Sequence, residues 1–387
     1  MAKRAKARRV REVRASRAID SLPALDALSE IPAFDELRAS DDQRAAFARA
    51  RETAVAPGEL ALGCVVRLDR GYPAVVTADE TFRAEFAARL TKGSFSRVAV
   101  GDWVCARRPH GHGMGLIEEI LPRKSDIARW RGGARGERQT LAANVDMVIV
   151  VRQLGAREVD FARVARSAVI VRDCGAELGV VLSKADRAGA AGVARDVDAL
   201  REVLGPDVRL VVTLVGDDAD VPAIRAAAQG RGALFGEDGV RALVPAGTLA
   251  IMLGESGAGK STLLNALLGR AVLETGAVRE SDDAGRHTTV ARRMVSLPGA
   301  GVIVDAPGLR SLPLVGHERG LAKVFPDIAR EAAACRFRDC THTHEPGCSV
   351  LLHASEGGYA GRRLDAYLAL AREMRRSRTT LDPDVVI

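Results

Sequence analysis

"GESGAGKST", residues Gly254 to Thr262, decides the fold of this chain. It lies between an apolar run, "TLAIML" (Thr248–Leu253), and an apolar helix start, "LLNALLG" (Leu263–Gly269). The pattern G-x-x-x-x-G-K-[ST], with a strand before and a helix after, is a phosphate-binding loop. Gly254, Gly257 and Gly259 let the backbone curl so that successive N–H groups converge on one phosphate cluster, and the helix beginning at Ser261 adds its positive end. Glu255, Ser256, Ala258 and Thr262 complete the cradle. Lys260 is the residue that reaches the β- and γ-phosphates, and the Ser261 hydroxyl is placed to join a Mg²⁺ shell. Such a loop normally follows the first strand of its domain. Here it arrives with only 125 residues to follow in a chain of 387.

The rest of the nucleotide site is therefore sought on both sides. Downstream, "GVIVDAPG" (Gly301–Gly308) is a strand that delivers Asp305 to a sheet edge as a Mg²⁺ ligand through water, with Gly308 N–H set to sense the γ-phosphate. A guanine base presents N1–H and an exocyclic amine side by side, which one carboxylate accepts. The usual [NT]-K-x-D that supplies it is missing after Thr262. Upstream, "VVLSKAD" (Val180–Asp186) ends a buried strand in Ser183, Lys184, Ala185 and Asp186. Asp186 would bind the base and the Lys184 stem would pack over it. With base-reading elements first and phosphate-binding elements last, the domain reads as circularly permuted. An ATP-using kinase or transport ATPase is disfavoured by Asp186 and by Ala306 where an ATPase more often carries Glu.

The composition fits this architecture. The chain is 47% hydrophobic but only 4% aromatic, so its cores are aliphatic, as suits α/β layers. Length suggests two or three domains. No apolar run approaches ~18 residues and no secretory core opens the chain, which points to a soluble protein with no membrane contact. Six cysteines without regular spacing over the whole argue against a disulfide framework and for a reducing, cytoplasmic compartment. The net charge of +7 is concentrated at the ends: residues 1–20 carry eight Lys/Arg against two acids, and residues 362–378 six against two. Positive ends on a mildly acidic body suit arms for a polyanion; a solubilising tail or an Arg-rich transit peptide are the other readings of the N-terminus.

Along the chain, residues 1–57 read as a basic extension with a loose helix. Residues 58–130 carry short apolar runs split by Gly, Pro and charged turns, as in a small barrel; "RGGARGERQT" (Arg131–Thr140) reads as a Gly-rich basic loop. Strands then alternate with helices over 141–312, predicting a mostly parallel sheet with helices on both faces. Residues 313–387 read as helical and polar. Within them Cys335, Cys340, His342 and Cys348 form C-x4-C-x-H-x5-C, a closed three-thiolate, one-imidazole set typical of structural zinc, with His344 the alternative to His342. Cys64, Cys105 and Cys174 read as small core residues.

Taken together, these residues resemble the ribosome small subunit-dependent GTPase A (RsgA) family over roughly 59–375. The resemblance rests on "LAANVD" (Leu141–Asp146), the early K-x-D, "GESGAGKSTLLNAL", "GRHTT" (Gly285–Thr289), "DAPG" and "CRFRDCTHTHEPGC". It implies an OB-type β-barrel, a circularly permuted P-loop GTPase and a C-terminal helical zinc-binding domain. It also implies GTP hydrolysis to GDP during maturation of the 30S subunit, stimulated by that subunit; the basic ends, the barrel and the Gly/Arg loop suit contact with its 16S rRNA. A monomer is expected. Ser183 stands where the family pattern has Asn, and Thr213 with Leu214 where a Ser–Ala pair commonly meets the guanine oxygen. Leu309 follows D-A-P-G where many GTPases place a water-orienting Gln, so slow hydrolysis by the free protein is expected. In the switch "ESDDAGRHTTV" (Glu280–Val290), Thr289 is the expected Mg²⁺ ligand, Thr288 the alternative, and His287 a candidate to position water. A GTP-gated RNA-binding protein with incidental hydrolysis is the rival reading.

Overall fold

The computed structural model describes residue 25 and residues 31–54, 56–69, 72–91, 98–109, 113–131, 137–214, 220–270, 292–305 and 317–380. Five strands form a barrel: β1 (Ala61–Asp69), β2 (Tyr72–Thr77), β3 (Thr81–Phe86), β4 (Trp103–Arg107) and β5 (Gly115–Ile120). They pair in the order β1-β2-β3-β5-β4 and close through β1–β4, with only β3–β5 parallel, the OB arrangement. A register shift between Val65 and Arg67 bends β1 so that it serves two neighbours. Val65, Val75, Phe82, Val104 and Ile117 fill the interior.

The hairpin β6 (Asp126–Arg131) and β7 (Glu137–Ala143) follows the barrel. The loop expected over Arg131–Thr140 is thus shorter than its composition suggested, because Glu137–Thr140 pair with β6. Its Gly-rich centre lies outside the described residues.

A second sheet segment runs β11-β10-β9-β8-β12-β14-β13. Its strands are β8 (Met147–Gln153), β9 (Glu177–Ser183), β10 (Arg209–Val212), β11 (Leu234–Phe235), β12 (Leu249–Leu253), β13 (Arg292–Ser296) and β14 (Val302–Asp305). All pairings are parallel except β13 with β14. A parallel sheet covered on both faces needs apolar residues on both, and β8 alternates accordingly. Val148 and Val150 join one core, Met147, Ile149 and Val151 the other. Helices Phe161–Asp173, Gly189–Leu204, Val221–Gln229, Gly236–Leu243 and Lys260–Leu268 cover it. Strand β13 also pairs with β1 at Arg67↔Arg293 and Leu68↔Arg292, joining barrel and sheet.

Helices Glu318–Val324, Pro326–Ala333, Ser349–Ser355 and Gly361–Thr380 form the C-terminal region. Arg363 locks them to the sheet's outer helices. Its guanidinium donates to Asp327, to Val203 O at 2.6 Å and to Val324 O at 3.1 Å, and lies 4.9 Å over the Phe325 ring.

The N-terminal helix is not loose. Asp41–Glu52 starts with a capping box, Ser40 with Gln43. The Gln43 amide is buried, donating 2.9 Å bonds to Pro122 O and Asn144 Oδ1. Asn144 in turn donates to Gly101 O at 2.8 Å, so one polar cluster joins this helix, the barrel and the entry to β8. Phe34 packs edge-on against Trp103. Cys64 and Cys105 are buried and Cys174 half-buried, as small core residues should be.

Candidate functional site

Strand β12 is buried along its length and fires its backbone into the loop 254–259. Gly254 runs so close to β8 that a Cβ there would stand 2.5 Å from Val151 O. Gly259, at φ +88°, caps helix Lys260–Leu268 in the left-handed region that favours glycine. Leu263, Leu264, Leu267 and Leu268 bury that helix, leaving Ser256, Gly257 and Thr262 exposed at its mouth and Ser261 half-buried. The Lys260 ammonium folds over the loop and donates to Gly254 O at 2.6 Å and Glu255 O at 2.7 Å.

The K-x-D turn ends β9, two strands away from β12 on the same sheet edge. Ser183 Oγ donates across 2.7 Å to Ala258 O, 75 residues away in sequence. Lys184, held at φ +57°, donates to Gly257 O at 2.6 Å and Gln153 Oε1 at 3.2 Å. Ala185 N donates to Thr213 O at 3.1 Å, tying the turn to the end of β10, where Thr213 and Leu214 stand. Asp186 sits half-buried in the same turn. Ser183 thus reaches the phosphate loop despite its short side chain, a contact the sequence alone did not disclose.

Asp305 ends β14, alongside β12. Burial pushes its carboxyl above the ordinary value, while Arg293, its cross-strand partner at 3.7 Å, acts the other way. Thr288, Thr289, His287, Gly308 and Leu309 lie outside the described residues.

The sequence reading also missed the partners of Glu255. Burial raises its carboxyl, but the Arg152 and Arg163 guanidiniums outweigh that and hold it below its ordinary value. No local signal announces this, because Arg163 lies 92 residues away.

In the C-terminal region the ligand atoms of Cys335, Cys340, His342 and Cys348 all lie within 4.8 Å of one another. Cys335 and Cys348 sulfurs are 3.8 Å apart, and each is 3.5 Å from His342 Nδ1. A tetrahedral ion with bonds of ~2.3 Å to sulfur and ~2.0 Å to nitrogen gives edges of about 3.8 and 3.5 Å. The set fits a metal ion. His344 lies apart, exposed, with Nδ1 2.9 Å from Thr343 Oγ1. Glu345 braces the loop by accepting from the N–H groups of Thr341, Thr343 and His344 at 2.9, 3.1 and 3.2 Å and from the Thr341 hydroxyl, which holds its carboxyl far below the usual range. His342 lies within the braced segment at φ +60°. The Glu-Pro-Gly between His342 and Cys348 was its only trace in the sequence.

A phosphate loop joined to a K-x-D turn that precedes it in the chain, on a sheet in this strand order, defines a circularly permuted P-loop GTPase. The chain belongs to the RsgA GTPase family, whose family model matches residues 236–315. It is 41% identical to the small ribosomal subunit biogenesis GTPase RsgA of Streptomyces coelicolor, over 86% of this chain and 84% of that protein. It is 33% identical to the protein of that name from Leptospira interrogans, over 83% of this chain and 84% of that one. In fold it is similar to YjeQ from Thermotoga maritima, with a TM-score of 0.58 at 22% identity over 82% of this chain and 99% of that one. It is also similar to YloQ, a circularly permuted GTPase, with a TM-score of 0.56 at 20% identity over 83% and 96% of the two chains. No helix among the described residues is long and apolar enough to cross a membrane.

Proposed function

We propose that this chain hydrolyses GTP to GDP and phosphate while bound to the small (30S) ribosomal subunit, assisting its late maturation. The observation that carries this reading is the pair of bonds from Ser183 and Lys184 to the loop 254–259, since they bring the K-x-D turn against that loop, which supports reading the two as one nucleotide site. The names of its relatives support the cellular role.

In this reading Gly254–Thr262 cradles the phosphates, and Lys260 leaves its loop carbonyls to meet them. Asp186 accepts the paired donors of guanine, with Ser183, Lys184 and Ala185 shaping the turn. Ser261, Thr289 and Asp305 hold Mg²⁺, which when bound neutralises charge on the β- and γ-phosphates. Gly308 senses the γ-phosphate and His287 positions water. Zn²⁺ is the ion proposed for Cys335, Cys340, His342 and Cys348; a closed site of this composition stabilises a fold rather than reacting. The division into 1–57, 58–130, 141–312 and 313–387, a monomeric state, cytoplasmic residence and contact with 16S rRNA belong to the same proposal. The basic ends and the barrel support the RNA contact, because phosphate contacts release counterions and OB barrels bind nucleic acid on an exposed face.

The test is turnover of GTP and of ATP with and without purified 30S subunits, together with subunit binding in a non-hydrolysable GTP analogue and in GDP. Stimulated, GTP-selective turnover and tighter binding with the analogue are expected. Turnover indifferent to the subunit would favour an RNA-binding protein with incidental hydrolysis, and ATP preference would remove the base-reading assignment.

A further inference from the structure

A carboxylate is an unfavourable choice within a phosphate loop, because each phosphate the loop receives brings negative charge toward it. Glu255 nevertheless occupies the second position of Gly254–Thr262. It lines one wall of a cleft of about 370 Å³, with Arg152, Glu158, Asp160 and Ala258 among the other lining residues, so packing alone does not fix its side chain. Charge does. The carboxylate lies 3.2 Å from the Arg152 guanidinium and in direct contact with that of Arg163.

These two partners anchor it to different elements. Arg152, with a side chain 11% exposed, lies near the end of β8. Arg163, 62% exposed, stands in the first turn of helix Phe161–Asp173, beside its N-cap Asp160 at 3.0 Å. That helix spans 13 residues, about 20 Å. At its far end Asp173 pairs with His317 Nδ1 at 2.8 Å and accepts from Gly320 N at 3.1 Å, so it caps helix Glu318–Val324. A helix held at both ends is a firm support for a loop.

We propose that Glu255 is a positioning residue for GTP hydrolysis: its double ion pair fixes the phosphate loop to β8 and to helix Phe161–Asp173, setting the loop's N–H groups in the geometry that the transferred phosphate requires. This rests on the GTPase reading given above. Charge and positioning push the kinetics in different directions. Glu255→Gln removes a negative charge from beside the phosphates, so electrostatics alone lowers KM and leaves kcat unchanged. Loss of positioning lowers kcat, because misplacing a reacting group by ~1 Å costs up to ~10²-fold.

The experiment is steady-state GTP turnover by the full chain with Mg²⁺, alone and with purified 30S subunits, in the parent, Glu255→Gln, Arg163→Ala and the double variant, with a thermal melt of each. Arg163 is exposed, so its truncation does not endanger folding. Glu255→Gln is expected to lower kcat about tenfold with KM for GTP unchanged or reduced. Arg163→Ala should lower kcat by no more than Glu255→Gln, and the double variant should fall no further than Glu255→Gln, since that variant already breaks the tie to Arg163. A parental kcat in Glu255→Gln overturns the proposal, whether or not its melting temperature drops. Additive losses in the double variant, or a raised KM at parental kcat, also overturn it. A parent inactive both alone and with 30S subunits refutes the GTPase reading itself, and the proposal falls with it.

Discussion

Removing the Ser183 hydroxyl should uncouple base binding from phosphate binding with almost no change in volume. Ser183 is 5% exposed and Ala258 2%, and the bond between Ser183 Oγ and Ala258 O is 2.7 Å long. In Ser183→Ala the Ala258 carbonyl loses this donor. A neutral hydrogen bond is worth about 1 kcal/mol net, and a buried acceptor left without one costs about 1–3 kcal/mol. We take about 1–2 kcal/mol as the part expressed in binding, which raises Kd roughly five- to thirtyfold. GDP and GTP should be affected alike, because in the proposed site this bond ties the K-x-D turn to the loop and no γ-phosphate role is assigned to Ser183. Fluorescence titration with labelled GDP and a labelled GTP analogue, in Mg²⁺, reads this directly, with a thermal melt of the nucleotide-free protein beside it. Ser183→Asn keeps a side-chain donor and should bind close to the parent. If Ser183→Ala binds both nucleotides within about twofold of the parent while its melting temperature falls, the bond serves the fold and not the site.

Lys260→Ala should abolish turnover, and because it also removes the bonds to Gly254 O and Glu255 O a small fall in melting temperature is expected; turnover at the parental rate would remove the phosphate-loop assignment. Asp186→Asn should relax guanine selection and favour xanthosine triphosphate, which presents an acceptor where guanine has its amine, and unchanged selectivity in competition assays would sink the permuted-site reading. Elemental analysis should find one Zn²⁺ per chain, lost in His342→Ala and kept in His344→Ala; the opposite pattern would exchange the ligand. Glu345→Ala is expected to release that metal faster to a chromogenic chelator, roughly tenfold, as second-shell removal does in other sites.

What the sequence disclosed follows from how each feature is held. Strands β8, β9, β12 and β14 are buried on both faces, so "VDMVIVV", "LGVVLS", "TLAIML" and "GVIVD" are continuous apolar runs that cannot be mistaken for surface. The Cys/His set was legible because its ligands lie within fourteen residues and must keep a spacing. The docked N-terminal helix was not legible. Its buried anchor is a glutamine whose partners stand 79 and 101 residues away, and only Gln43 and Ala46 are buried along it. The joint between barrel and sheet was equally hidden, since it pairs Arg67 and Leu68 with Arg293 and Arg292, and three of these four are arginines, which composition assigns to a surface.

That joint gives the permuted order a physical consequence. Strand β13 lies between β14 and β1, so Arg293 faces Asp305 across one edge and stands opposite Arg67 across the other. Like charges opposite each other on paired strands are destabilising unless neutralised. Arg67 is neutralised by Asp69 at 2.8 Å, which also takes Arg83 at 3.0 Å, while Asp305 lies 3.7 Å from Arg293. A cation drawn to Asp305 would compete for the carboxylate that offsets Arg293 and so weaken the β1–β13 pairing. The hypothesis is therefore that nucleotide with Mg²⁺ loosens the barrel's attachment at Arg67 and Leu68. Amide hydrogen exchange over β1 measures it: exchange at these residues should quicken when Mg²⁺–GDP is added to nucleotide-free protein, and Arg293→Gln should abolish the difference. Equal protection of β1 in both states would show that the joint is rigid and that the barrel does not sense Asp305.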